Sequence, residues 1–244
     1  RELEIAASVQ SDLLPAEVSF ADGWTVAALC RPARHVGGDF FTELPGPRPD
    51  TCAMVYGDVA GKSVSGALVM MAAHEALHAL SMTHRDPEAL FDLANQRLYR
   101  LGHRKSFVAL AYLTVSEDGS GIEYLLAGQP QPLIKSRIGT VSELPLPDHR
   151  LPLGALVNGG YKTSYAALGQ GELVLGYSDG VVDALSPRGE SFGIDRLREV
   201  IAAAPTQPDS MIDHVVEALN EFTEGSEPYD DVTLVAISCD RKEA

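Results

Sequence analysis

Sulfur, positive charge and long apolar runs are all scarce in this 244-residue chain. Its three cysteines, Cys30, Cys52 and Cys239, are odd in number and widely spaced, and two of them lie in apolar strand-like runs. That pattern argues against a disulfide framework and for buried thiols in a reducing compartment, with the cytosol as the simplest home. Lysine and arginine number 19 against 34 aspartates and glutamates, a formal charge of -15. No basic run forms a stripe that could neutralise phosphates, so nucleic acid and anionic membrane are excluded as expected partners. The longest apolar stretch, Ala67 to Leu80, is interrupted by His74, Glu75 and His78, and no basic-then-apolar leader opens the sequence. No membrane span is expected. Internal repeats and low-complexity segments are absent too, and no cysteine sits in a loop that would cradle a phosphate with backbone amides, which disfavours a cysteine nucleophile.

What is present is enough apolar material, 45% of residues, to bury a substantial core as one domain. Residues Arg1 to Leu14 place Leu3, Ala6, Ala7, Gln10, Leu13 and Leu14 at helical spacing before Pro15. This helix starts without a cap in the sequence, and the expectation is an upstream module joined through it. Strands are predicted at Trp24–Cys30 and Cys52–Tyr56, then helices at Val64–Met82 and Pro87–Leu101. Strand-like segments follow at Phe107–Val115, Ile122–Ala127, Leu133–Arg137, Tyr161–Leu168 and Glu172–Tyr177, joined by turns containing Gly, Pro or Asp and read as an antiparallel meander. Helices near Ile194–Ala203 and Pro208–Thr223 and a strand at Val232–Ser238 complete the pattern. Runs of strands and runs of helices, without strict alternation, predict an α+β fold with antiparallel sheets.

Four places share one chemistry: an aspartate beside glycine, or beside a second aspartate, at the end of an apolar run or in a turn. They read Val36-Gly-Gly-Asp39-Phe, Tyr56-Gly-Asp58-Val-Ala-Gly, Tyr177-Ser-Asp179-Gly-Val and Tyr229-Asp230-Asp231-Val-Thr. Such positions set short carboxylates on rigid scaffold with backbone free to approach a ligand. Hard cations such as Mg²⁺ and Mn²⁺ take this oxygen-only environment. The acidic composition suits the same purpose, although solubility explains it equally well. Gly37, Gly38, Gly57, Gly61 and Gly180 are read either as allowing close backbone approach or as plain turn residues.

In this order, GGDF, GDVAGK before a small-residue helix, YSDGVVD and DDVT, the sequence resembles the PP2C-type (PPM) phosphatases and within them the bacterial SpoIIE/RsbU branch. The resemblance runs from about Leu13 to Ile237 and includes Leu13-Leu-Pro15, Ala127-Gly-Gln-Pro130 and Leu151-Pro-Leu-Gly154. It implies a four-layer αββα sandwich over residues 15–240 preceded by a linker helix at 1–14. It also implies a centre of two Mn²⁺ or Mg²⁺ ions: Asp58 bridging both, the Val59 carbonyl on one, Asp179 and Asp230 on the other, and Asp39 as ligand or as orienter of water. Which of Asp230 and Asp231 coordinates is left open. The implied reaction is hydrolysis of phosphoserine or phosphothreonine by water, activated between cations roughly 3.5–4 Å apart. The implied substrate is a phosphorylated anti-sigma-factor antagonist of the STAS type, with an upstream sensory domain and a homodimer through the first helix. Where many relatives have Asn-Ala-Gly-His, this chain reads Leu126-Ala-Gly-Gln129, a change expected to modulate activity without removing a ligand.

Three other signals compete. His74-Glu75-Ala-Leu-His78 satisfies HExxH, the helical zinc-protease pattern, but comes with no recognisable third ligand. Gly61-Lys62-Ser63 fails the P-loop because position 56 is Tyr56. Gly37-Gly38-Asp39-Phe40 lacks the glutamate of a cyclic-dinucleotide synthase signature. A catalytically silent phosphatase-like scaffold is the alternative from another functional class.

Overall fold

The computed structural model describes residues 1–61, 64–101, 107–226 and 228–240. Its elements are α1 (Glu2–Ser11), β1 (Trp24–Arg31), β2 (Phe40–Pro45), β3 (Cys52–Val59), α2 (Val64–Ser81), α3 (Pro87–Arg100), β4 (Val108–Val115), β5 (Gly121–Ala127), β6 (Leu133–Lys135), β7 (Val141–Glu143), β8 (Ser164–Ala167), β9 (Leu173–Tyr177), α4 (Asp179–Val182), α5 (Gly193–Ala203), α6 (Pro208–Thr223) and β10 (Val232–Cys239). The strands form two five-stranded sheets, in the orders β1-β10-β9-β6-β7 and β2-β3-β4-β5-β8. Every pairing between these strands is antiparallel.

Alternation along the central strands produces the layers. In β3, Ala53 and Val55 face a core shared with α2 and α3, whereas Met54 and Tyr56 face the other sheet. In β10, Val235 and Ile237 face that same central core, while Leu234 and Ala236 join α5 and α6 in a third one. A strand buried on both faces needs apolar residues at successive positions, which is why these runs show no polar side. The result is the expected four-layer αββα sandwich: α2 and α3 outside one sheet, α5 and α6 outside the other. Each Leu or Met side chain taken fully inside contributes roughly 1.5–3 kcal/mol, and Met54, Leu77, Leu110 and Leu113 are all buried to within 1%.

The helices start and stop for local reasons. Asp86 accepts hydrogen bonds from the amides of Glu88 (3.4 Å) and Ala89 (3.2 Å), with Pro87 at the first helical position of α3. The end of α5 is closed from the sheet: Lys135, buried in β6, donates through Nζ to the carbonyls of Ile201 (2.8 Å), Ala202 (2.9 Å) and Ala204. A cation on unpaired carbonyls at a helix C-terminus satisfies both hydrogen bonding and the helix dipole.

The predicted meander is corrected by the topology. β4, β5 and β8 stay in one sheet, whereas β6 and β9 cross to the other and pair with each other. β2, β7 and the single turn of α4 were not anticipated. Nor is Tyr161–Leu168 one strand: only Ser164–Ala167 pairs with β5, because Tyr161 packs its ring against Phe91 (5.8 Å) and donates its hydroxyl to the Leu151 carbonyl (3.0 Å). No helix among the described residues is long and apolar enough to cross a membrane.

Candidate active site

Antiparallel pairing gathers the aspartate motifs at one end of the sandwich. Asp39 immediately precedes β2, Asp58 is the penultimate residue of β3, Asp179 opens α4 just after β9, and Asp230 and Asp231 lead into β10. Phe40 pairs with Gly57 in one sheet and Tyr177 with Leu234 in the other, and a hydrogen bond from Thr233 of β10 to Asp39 joins these strand ends.

Asp39 is the most deeply set, 4% exposed, and accepts a hydrogen bond from Thr233 Oγ1 at 2.8 Å. Burial, followed by the charge of Asp58, pushes its carboxyl well above the usual range. Asp58 is itself pushed up to about 6, first by burial, then by the charge of Asp179, with Asp230 and Asp231 adding and a hydrogen bond to Asp39 opposing. The charges acting on Asp58 are thus all carboxylates. Without a counter-ion, Asp39 and Asp58 hold their protons at pH values where isolated aspartates would be ionised.

Asp231 plays a different part. Its carboxylate accepts from the backbone amides of Ala33 (2.7 Å), Gly38 (2.7 Å) and Asp39 (3.3 Å), so it clamps the segment that carries Asp39. Two glycines make the approach possible. A Cβ on Gly38 would stand 2.7 Å from the Val59 carbonyl oxygen, and one on Gly180 would collide with the Asp231 carbonyl. The Val59 carbonyl therefore lies hard against the Asp39 loop.

Sequence reading missed three supporting residues. Thr233 and Ser178 were inside the quoted motifs without a role. Thr233 holds Asp39, and its own amide donates to Ser178 Oγ at 2.9 Å. Gln10, the one buried residue of α1, forms a two-way pair with the main chain of Gly37: its Nε2 donates to the Gly37 oxygen (2.7 Å), and its Oε1 accepts from the Gly37 amide (3.0 Å). A polar residue at a helical core position was the available signal.

The donors are oxygens throughout, the set that Mn²⁺ and Mg²⁺ take, and mutual repulsion among the carboxylates is what a divalent cation would relieve. The residues fit the implied ions in chemistry. As they stand, no group of three or more His, Cys, Asp and Glu side chains among the described residues is close enough to hold a metal ion: the carboxylates are gathered without being closed around one point. Lys62 of the GDVAGK motif, with Ser63, lies outside the described residues.

The competing histidines serve packing. His78 Nε2 pairs with Thr42 Oγ1 at 2.7 Å, the His74 and His78 rings meet tilted with centroids 4.5 Å apart, and burial lowers the pKa of both. Glu75 points outward, its side chain 70% exposed. Gln129, which closes the Leu126–Gln129 stretch, is buried and donates to the Ala109 carbonyl (3.1 Å), directly across the β3–β4 ladder from Asp58.

Sandwich and carboxylate cluster together define a PP2C-type phosphatase domain. The solved SiaA-PP2C domain of Pseudomonas aeruginosa has this fold, with a TM-score of 0.79 at 22% identity, covering 97% of this chain and 95% of that one. A family model described as Stage II sporulation protein E (SpoIIE) matches residues 48–240, and the chain belongs to that family. Asp39 precedes the matched stretch. Among named relatives, Protein IcfG of Synechocystis sp. is 26% identical over 269 residues and Phosphoserine phosphatase RsbU of Bacillus subtilis 25% over 239. Each alignment covers 97% of this chain, which spans 41% of IcfG and 69% of RsbU.

Proposed function

We propose that this chain hydrolyses phosphoserine or phosphothreonine on a protein, with water as nucleophile and two Mn²⁺ or Mg²⁺ ions as cofactors. The observation that carries this reading is the convergence of aspartates from separate strand ends on Asp58, whose carboxyl is pushed up to about 6 first by burial and then by the charge of Asp179. A cluster of mutually repelling carboxylates on a rigid sheet edge has no packing purpose, and its perturbed ionisation marks a functional site. Asp58 would bridge the two ions, the Val59 carbonyl and Asp39 would complete one side, and Asp179 and Asp230 the other. When bound, such a pair acidifies a shared water and offsets the charge of the phosphoryl oxygens. The chain's own residues do the positioning: Thr233 fixes the Asp39 carboxylate, and Asp231 fixes the backbone on either side of Gly37.

Within this reading the substrate is a phosphorylated STAS-type anti-sigma-factor antagonist in the cytosol. Residues 1–14 link residues 15–240 to an upstream sensor. Ile5 and Val9 of α1, four residues apart on one helix face, are both about half exposed and would be the surface that pairs two copies. Light scattering that finds only monomer would remove the homodimer from this account.

The test is hydrolysis of p-nitrophenyl phosphate and a phosphoserine peptide with Mn²⁺, Mg²⁺, Zn²⁺ or EDTA, for this chain, Asp58→Ala and Asp179→Ala. Manganese- or magnesium-dependent turnover falling on the order of 10³-fold in both variants is expected, the scale of losing a preorganised electrostatic element. The second reading is a catalytically silent phosphatase-like scaffold. A folded protein that turns over neither substrate with any metal would establish that second reading.

A further inference from the structure

A cavity of about 240 Å³ lies against the carboxylate cluster, and the two share residues: Gly180 and Asp230 form its inner wall. Its outer wall comes from the residues after α4 and the last turns of α6, chiefly Ala184, Leu185, Val216 and Leu219, with Arg31 at the end of β1. Aliphatic side chains supply one wall, and Asn220, Thr223, Ser226 and Tyr229 are among the rest of the lining. Leu185 remains 38% exposed there, apolar surface left in water unless something covers it. Arg31 is held on the wall by donating from Nη1 to Asn220 Oδ1 at 3.3 Å, which sets a guanidinium beside an otherwise acidic cluster. Cavities that take free small molecules start at roughly 300 Å³, so this one suits a single side chain.

Resting on the phosphatase reading, we propose that this cavity is a specificity pocket for an apolar side chain adjacent to the phosphorylated serine of the protein substrate. Continuity with the carboxylates fixes the occupant. A chain whose phosphate reaches Asp58 and Asp230 carries its neighbouring residue about 3.8 Å further along the backbone, to a cavity whose wall already includes Asp230. Arg31 favours the anionic segment, and the aliphatic wall selects among the residues that accompany it. Nothing in the phosphoryl-transfer chemistry requires the pocket, so its removal separates recognition from reaction.

The experiment compares phosphoserine peptides carrying leucine or serine on either side of the phosphorylated residue, with p-nitrophenyl phosphate as the substrate that has no flanking chain. Leucine is expected to raise kcat/KM about tenfold over serine at one of the two positions, the discrimination an apolar pocket supplies for a few methylenes. Ala184→Trp, which fills the cavity, and Leu185→Ser, at an exposed position that does not threaten folding, should bring that ratio to about one. Peptide binding is followed in parallel by fluorescence polarisation with a phosphonate analogue of phosphoserine, which needs no turnover. Turnover with no leucine preference, or a preference that survives both substitutions, overturns the pocket and leaves the phosphatase reading standing. Loss of all turnover with leucine-dependent binding retained does the reverse.

Discussion

Two sides of one carboxylate cluster behave in opposite ways. On one side Asp231 gives its oxygens to three backbone amides, Gly37 is paired through both its polar atoms with Gln10, and Thr233 secures Asp39. On the other, Asp58 faces Asp179 and Asp230, and the dominant interactions are burial and repulsion between like charges. The lesson is that identical side chains in adjacent motifs divide labour by environment. Carboxylates supplied with amide donors build the scaffold, and those crowded by other carboxylates store the electrostatic demand for a cation.

Breaking the scaffold side should cost most stability. Asp231→Ala strands the amides of Ala33 and Gly38, each of which now donates to a charged acceptor, and a loss of roughly 3–5 kcal/mol is expected in denaturant unfolding. A smaller loss than that of Asp58→Ala would reverse the assignment of roles.

The crowded side should respond with the opposite sign. A carboxyl held at about 6 in the folded chain, against about 3.9 when unfolded, stabilises below the unfolded value, and that contribution disappears as pH rises through 6. Asp58→Asn should therefore stabilise the metal-free protein at pH 7.5 by on the order of 2–3 kcal/mol and change little at pH 4. Adding Mn²⁺ should raise the Tm of the unaltered chain at pH 7.5 and not that of the variant. Equal effects of Asp58→Asn at both pH values would show that its neighbours do not govern Asp58.

The smallest expected effect lies at the edge of the comparison. Gln10→Ala removes two hydrogen bonds from Gly37, worth about 1–2 kcal/mol together, and should speed hydrogen exchange at the Gly37 amide while β10 stays protected. Unchanged exchange there would mean that Asp231 alone holds the loop.

How much of this was legible depended on how local each signal was. The four motifs were readable because each is a short string whose chemistry does not depend on distant residues, and α3 and α6 because of their amphipathic spacing and their leading prolines. Sheet membership was not. Nothing in Leu133–Lys135 says that it pairs with β9 across a gap of nearly forty residues rather than continuing from β5. β2 escaped because Phe40 to Pro45 is buried at four of its six positions, three of them consecutive, and runs straight out of a Gly-Gly turn, and β7 because three residues, two of them polar, are too few to show alternation. The scaffold role of Asp231 was invisible because its partners, Ala33, Gly38 and Asp39, lie about 190 residues earlier.

That distance bears on how the molecule is made. β10, the last strand in sequence, sits between β1 and β9, and Trp24 of the first strand pairs with Cys239. At roughly 5–20 residues per second of synthesis, β1 waits on the order of ten to forty seconds for its one neighbour in the sheet among the described residues. Throughout that interval Asp39 has neither Thr233 to hold it nor Asp231 to shape its loop. A ribosome therefore releases this domain's chemistry at a late, single moment, when residues 230–239 emerge and close the sheet, the loop and the carboxylate cluster together.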